Sequence, residues 1–461
     1  LFRRFFAEGA FNQAFIPIYS DFEKANNKNN TDEFLNSLAG ILISSLFVFT
    51  ILVLIFAPIF IFIFAPGFYF DPIKKDISVN VLRIMFPYLA LISLVSFAAG
   101  IQNTHNKFSI PAFTPIIFNL SLIIAAIFIA PMYEMPIYVL AWGVLLAGIF
   151  QLLLQLIPLR QINRLPIPKL NINNEGVNQF FKLILPAVLA GGIIQINLLV
   201  DTIFASLLET GSPTWLYVSD RLIQFPMGIF AIAVGTILLP TLSKFDLSYE
   251  KDKFISSIQK GQRFVLFIGI PSLIGLFFCA EDLISTIFYR GAFTESDVIN
   301  SSYSLMAFSI GLPFFMLMKV LTPAFFARKD TKTPMYVAFA SLILNALLNY
   351  YLAFVLDYGH VGIAIGSSIA AIISVCVLEI LLHRNGFIEF KSIFNKFNLN
   401  ILVSNLFLII FLYFYTSQID FMKLNQIERF FNLLFEVTAS VIIYFSISRL
   451  ILKKPLRLLF D

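Results

Sequence analysis

Phe15-Ile-Pro-Ile-Tyr-Ser-Asp-Phe22 and Leu238-Leu-Pro-Thr-Leu-Ser-Lys-Phe245 are two versions of one segment, with their prolines 223 positions apart. Ile63-Phe-Ala-Pro-Gly-Phe68 pairs with Ile287-Phe-Tyr-Arg-Gly-Ala292 at a spacing of 224, between Gly67 and Gly291. Asn106-Lys-Phe-Ser-Ile-Pro-Ala-Phe113 pairs with Asp330-Thr-Lys-Thr-Pro-Met335 at 223, between Pro111 and Pro334. Three matches at nearly constant spacing mark a duplicated unit rather than shared turn punctuation.

The unit is built from membrane-length apolar runs. Of the 461 residues, 59% are hydrophobic and only 13% charged, against about 25% charged in an ordinary soluble protein. Apolar runs between polar breaks predict twelve complete spans: 35–64, 78–101, 109–131, 136–158, 177–207, 215–240, 255–279, 298–327, 334–356, 361–382, 397–416 and 430–448. A partial span covers 1–20. Prolines 58, 87, 226, 271 and 313 fall inside these runs and predict kinks. Strand-sized alternation is absent, which excludes an outer-membrane barrel.

The second copy opens with span 177–207, whose counterpart at the repeat spacing falls before residue 1. The expectation is therefore fourteen spans in the full protein, about thirteen here with the first partial. That is an all-α polytopic membrane protein of two parallel six-helix lobes plus two extra C-terminal helices. The expected domains are an N-lobe at 1–160, a cytoplasmic linker at 161–176, a C-lobe at 177–390 and a C-terminal helix pair at 391–461. Alternate loops carry 21 lysines and arginines against 5 in the loops between them. The rule that basic loops stay inside puts the C-terminus in the cytoplasm. The net charge of +5 is thus a topology signal and not a nucleic-acid footprint.

Charges within spans cost about 2.5–3.5 kcal/mol at a helix centre, so they usually have a purpose. Arg4 and Glu8 are four apart on the first segment and can pair structurally, whereas Arg3 lies about 100° round the helix and either faces a solvent-filled cavity or anionic ligand or snorkels to an interface. Asp220 and Arg221 are adjacent and point apart, which leaves Arg221 either to a central space or, near an extracytoplasmic boundary, to a role as an interfacial anchor. Lys319 sits about eight residues from a cytoplasmic end and can line the same space or snorkel to the interface. Arg83 and Arg263 read as interfacial anchors. Asp201 with Asn197, and Asn345 with Asn349, place oxygens inside the bundle. A cation site and plain helix–helix hydrogen bonding both fit them. Cys279 and Cys376 are isolated in apolar stretches. His105, His360 and His383 fall in predicted loops without partners at ligand or triad spacing. No Walker motif is present. A transporter is expected, not an enzyme.

Arg3-Arg-Phe-Phe-Ala-Glu-Gly-Ala-Phe-Asn-Gln-Ala-Phe-Ile-Pro17 resembles the signature of the MviN/MurJ family of lipid II flippases, in the multidrug/oligosaccharidyl-lipid/polysaccharide exporter superfamily. Phe86-Pro-Tyr88, Asn103, Phe108-Ser-Ile-Pro-Ala-Phe113, Asp201-Thr-Ile-Phe-Ala-Ser206, Asp220-Arg-Leu222, Gly235-Thr-Ile-Leu-Leu-Pro240 and Lys319-Val-Leu321 extend the resemblance to about residue 335. It implies two lobes around a cationic cavity, with the C-terminal pair forming a lipid groove. It also implies that Arg3 and Arg221 are cavity arginines of the two lobes and that Asp220 and Glu8 hold family positions, so Arg3, Arg221, Asp220 and Lys319 are the expected substrate-binding residues. The family's first helix, which carries further arginines and an acidic residue, has no counterpart in this sequence. Some relatives use Na+ or membrane potential, a role Asp201 would fit; no other cofactor is implied.

The resulting expectation is a flippase that carries lipid II, a sugar–peptide head on an undecaprenyl pyrophosphate, across the bacterial inner membrane. Arg3 and Arg221 would neutralise the pyrophosphate while the tail stays in lipid along 397–416 and 430–448. Membrane lipids and cell-wall synthesis proteins are the other expected partners, and nucleic acid is not. Two rivals remain. A cation-coupled exporter of drugs or another polyprenyl-linked glycan would want acids in the cavity. A cell-wall assembly scaffold would bind partners without moving lipid.

Overall fold

The computed structural model describes residues 10–25, 27–246, 249–388 and 396–452. Among these residues the secondary structure is helical throughout, and eleven helical stretches are long and apolar enough to cross a membrane. The chain divides into two compact units, Leu1–Ile203 and Phe204–Asp461.

The first unit contains α1 (Ala10–Lys24), α2 (Lys28–Ile55), α3 (Ala57–Phe64), α4 (Pro66–Phe70), α5 (Pro72–Met85), α6 (Pro87–Thr104), α7 (Ser109–Ile124) and α8 (Pro136–Gln161). Helix α9 (Glu175–Leu207) crosses the boundary between the units. It accounts for predicted span 177–207. The second unit continues with α10 (Ser212–Pro226), α11 (Ile232–Ser243), α12 (Lys251–Phe278), α13 (Ala280–Phe288), α14 (Glu295–Phe326), α15 (Lys332–Tyr350), α16 (Gly359–Arg384), α17 (Lys396–Thr416) and α18 (Gln426–Leu452).

The duplication is written into the helix starts. Lys28 and Lys251, Ala57 and Ala280, Pro72 and Glu295, Ser109 and Lys332, and Pro136 and Gly359 each open a helix, and each pair is 223 positions apart. The caps repeat too. The Asp71 side chain accepts from the amides of Ile73 and Lys74, and Thr294, 223 residues later, forms a capping box with Asp297. A π-helical turn follows α7 at Ala125–Ile129, and another follows α15 at Tyr351–Val355.

Prolines break the helices more sharply than the sequence suggests. Predicted span 35–64 divides at Phe56, with Pro58 in the first turn of α3. Pro87 starts α6 after a break at Phe86, and Pro226 leads into a π-helical turn at Met227–Ala231. Arg83, expected as an interfacial anchor, donates from Nε to the Leu54 carbonyl at 3.1 Å, beside the α2–α3 break. Pro271 and Pro313 lie within the continuous helices α12 and α14.

Each unit has its own core. In the first, Phe15 stacks on Tyr19 at 5.3 Å and Phe22 on Phe34 at 4.8 Å, with Phe97, Ile101 and Phe180 closing the cluster. In the second, α14 is the central helix and packs on α10, α11, α12, α13 and α16. Large apolar side chains such as Phe47, Ile55, Ile116 and Phe128 remain exposed on the helix exteriors, as lipid-facing surfaces require.

Candidate functional site

Helix α10 shows how the fold presents a charge. Trp215, Val218, Ser219 and Ile223 are buried on one face. The Trp215 indole donates to Asp297 Oδ1 at 2.7 Å, and Ser219 Oγ donates to the carbonyls of Trp215 and Ser301. The helical period then turns Tyr217, Arg221 and Phe225 outward. The Arg221 guanidinium lies 4.6 Å from the Tyr217 ring centroid and makes one long hydrogen bond, 3.5 Å, to Gln224 Oε1. Gln224 also donates through Nε2 to Asp220 Oδ2, so one amide side chain serves both charges. No ion pair involves Arg221 among the described residues.

Lys319 is the exposed position in an otherwise buried run of α14 that includes Met316, Leu317, Val320 and Leu321. A Cβ on Gly235 would lie 3.0 Å from the Lys319 carbonyl oxygen, so α11 approaches α14 closely here because the residue is glycine. Arg3, Arg4 and Glu8 lie outside the described residues.

Asp201 belongs to α9 in the first unit, and Asn345 and Asn349 belong to α15 in the second. Both asparagines are buried against α16. Asn345 Oδ1 accepts from Ser367 Oγ at 3.3 Å, and a Cβ on Gly366 would collide with Asn349 Oδ1. Among the described residues, no three His, Cys, Asp or Glu side chains cluster to hold a metal.

His105 lies in the turn after α6, as expected, whereas His360 and His383 lie within α16 and not in loops, and all three have contacts that sequence spacing does not show. Tyr19 Oη lies 2.8 Å from His105 Nε2, and the same hydroxyl donates to Glu23 Oε1 at 2.8 Å. His360 is buried in the first turn of α16. Its Nδ1 is 2.7 Å from Ser304 Oγ and its ring meets Trp215 at 4.7 Å. His383 lies in the last turn of α16, with Nδ1 2.8 Å from the Ile388 carbonyl.

A charged clamp in the first unit has no local sequence signature. Arg164 grips Glu23 with Nε at 2.9 Å and Nη2 at 3.1 Å, and Asp32 with Nη1 at 2.7 Å. The pairing with both carboxylates holds the Arg164 guanidinium above its usual pKa despite partial burial. The chain after it stays docked. Ile167 N donates to Asn36 Oδ1, Lys169 N to the Asn36 carbonyl, and Asn171 Nδ2 to Glu33 Oε1.

The family model of the lipid II flippase MurJ matches residues 1–435. The chain belongs to that family. It is 34% identical over 456 residues to the probable lipid II flippase MurJ of Haemophilus influenzae, covering 96% of this chain and 89% of the relative. It is 34% identical over 390 residues to the lipid II flippase MurJ of Burkholderia cenocepacia, covering 84% and 75%. A solved lipid II flippase MurJ in an inward closed conformation aligns with a TM-score of 0.79 at 28% identity, over 98% of this chain and 90% of that one. An inward-facing multidrug resistance MATE transporter of the MOP superfamily aligns at 0.63 with 10% identity, over 82% and 86%, a likeness of fold alone. This MurJ-family chain is a multi-pass bacterial membrane protein of a transporter family.

Proposed function

We propose that this chain is a lipid II flippase, moving the lipid-linked peptidoglycan precursor from the inner to the outer leaflet of the bacterial inner membrane by alternating access. Family membership across residues 1–435 carries the reading. The presentation of charge in the second unit agrees with it. Arg221 lies nine residues after the start of α10 and is exposed, with no ion pair among the described residues. An arginine facing hydrocarbon at a helix centre would cost about 2.5–3.5 kcal/mol. Facing water and a substrate pyrophosphate, it can make charge-assisted forked hydrogen bonds.

Arg221 binds the pyrophosphate from the second unit, and Lys319 adds charge to the same half. Arg3 is assigned the matching role in the first unit on the sequence motif alone, with Arg4 and Glu8, four apart in that motif, read as a pair with each other. The energy source is Na+ or the membrane potential, with the oxygens of Asp201 in the first unit, or of Asn345 and Asn349 in the second, as the candidate cation ligands. The tail runs along α17 and α18. The C-terminus lies in the cytoplasm, as the loop charges require.

The test is rescue of a flippase-depleted bacterium by the gene, with labelled lipid II translocation as readout. One lost charge-assisted hydrogen bond is worth about 1.5–3 kcal/mol. Arg221→Ala should therefore slow translocation about 10- to 150-fold, with Arg221→Lys in between. Translocation by Arg221→Ala at the unmodified rate would sink the assignment of the residue. Failure of the gene to rescue would sink the function.

A further inference from the structure

Two buried carboxyls meet where the short helix α13 packs against α18. Glu436, in the middle of α18, is 0% exposed, and neither of its carboxyl oxygens has a hydrogen-bond donor. Asp282, in the first turn of α13, is 6% exposed, and its Oδ2 likewise lacks a donor. The two carboxyls are within hydrogen-bonding reach of each other, and the Cys279 thiol, 4% exposed, is beside Glu436. No salt bridge involves either acid among the described residues.

The surroundings supply no compensating cation. On α13 the other titratable group is Glu281, which faces Glu295 of α14 and Asp420. On α17 it is Tyr415, whose hydroxyl is turned to Asn432. On α18, two turns before Glu436, Arg429 is committed to the carbonyls of Phe421 and Met422 and to the Tyr289 ring.

Two buried carboxylates side by side would carry a desolvation cost for each charge and repel one another. One proton between them removes a charge and makes a strong O–H···O⁻ bond, so two acceptors without donors become a donor and an acceptor. A metal ion would need more oxygen ligands than this pair offers, and the thiol is a poor ligand for a hard cation.

We propose that Asp282 and Glu436 form a protonation site in which one shared proton latches α18 to α13, and whose loss releases that contact. Burial, with Glu436 as the next cause, pushes the Asp282 carboxyl well above the ordinary carboxylate range, so the latch holds at neutral pH and is released at alkaline pH. On release the proton goes to water and the pair passes from one negative charge to two. Repulsion then separates the helices. Because α18 belongs to the helix pair assigned to the lipid tail, the latch makes that edge sensitive to pH outside the cell. This consequence rests on the flippase reading, whereas the protonation itself does not.

The test uses infrared difference spectroscopy on the full chain in lipid nanodiscs. A protonated-carboxyl C=O band should be present at pH 7, fade as pH rises past 8, and be lost in Asp282→Asn/Glu436→Gln, whose amides keep the shape without the titration. If that double variant leaves the pH 7 spectrum unchanged, the proposal is overturned. Loss of the band on adding Na+ at constant pH would overturn it in favour of a bound cation. A second measurement follows alkylation of Cys279 in a Cys376→Ser background. Separation of the helices should expose it at pH 9 and, despite the repulsion of its thiolate by two carboxylates, raise its reaction well above that of the same chain carrying Asp282→Asn. Equal reactivity in the two would also count against the latch.

Discussion

Replacing Arg164 by Met keeps most of the side-chain stem and removes the charge from the clamp on the first unit. The Arg164 side chain is 14% exposed and Glu23 22%, so their two-pronged bond is mostly shielded from water, while Asp32 at 39% is more open. A charge-assisted hydrogen bond contributes about 1.5–3 kcal/mol, but two prongs of one fork are not additive. An exposed ion pair contributes about 0–1 kcal/mol. Loss of Arg164 also leaves Glu23 and Asp32 together without their cation, short of the roughly 3–5 kcal/mol seen when a fully buried pair is broken. Together these place Arg164→Met at about 2–3 kcal/mol of destabilisation. The assay is reversible unfolding in detergent of the wild type, Arg164→Met, Glu23→Gln and the double variant, so that the cycle isolates the Arg164–Glu23 coupling. A coupling under about 0.5 kcal/mol would refute the reasoning, because the fork would then be no stronger than a surface pair. Added salt should weaken the Asp32 prong before the Glu23 fork.

Gly40→Ala should loosen the same strap from the other side. A Cβ there would collide with the backbone of Lys169, which cannot move aside like a flexible side chain, so a cost of about 1–3 kcal/mol and faster proteolysis near Lys169 are expected. Asp330 caps the start of α15 by accepting from the Thr333 amide and hydroxyl, and these bonds hold its carboxyl below the usual range. A lowered folded-state pKa gives stability that is present above the unfolded value of about 3.9 and lost as pH falls through the folded one. Unfolding of Asp330→Asn should lack that acid-side loss, and an unchanged pH profile would refute the capping account.

Much of the fold could be read from the sequence because a duplicated chain states its own boundaries twice. Three proline and glycine matches near 223 residues anticipated five helix pairs that start 223 apart. Helix ends were harder. Lys28-Asn-Asn-Thr-Asp-Glu33 reads as a polar loop, yet it is the first turns of α2, capped by Asn27. Hydropathy reports what contacts lipid, whereas a helix can begin in water before it enters. The Phe56 break was hidden for a related reason, since Pro58 within an apolar run suggests a kink, and only the backbone shows a new helix. The contacts that fix the strap lie more than 130 residues apart in sequence, so nothing local announces that Arg164 belongs with Glu23 and Asp32.

The candidate site was legible to the extent that its residues break the cost rule for charge in a membrane, but that rule does not say which way a charge faces. Arg221 and Lys319 broke it visibly, and both are exposed in the structure. Glu436 broke it as plainly in the middle of span 430–448, yet it is wholly buried against Asp282. Asp220 is engaged by Gln224, and Glu379 accepts from Gln262 at 2.9 Å. Within the second unit, then, Arg221 and Lys319 are open to a ligand, while Arg429 is buried and engaged and these acids are turned inward or occupied. A drug-cation exporter would need the reverse arrangement, with acids open to its cargo. A pyrophosphate-bearing lipid meets the charges that this unit leaves accessible.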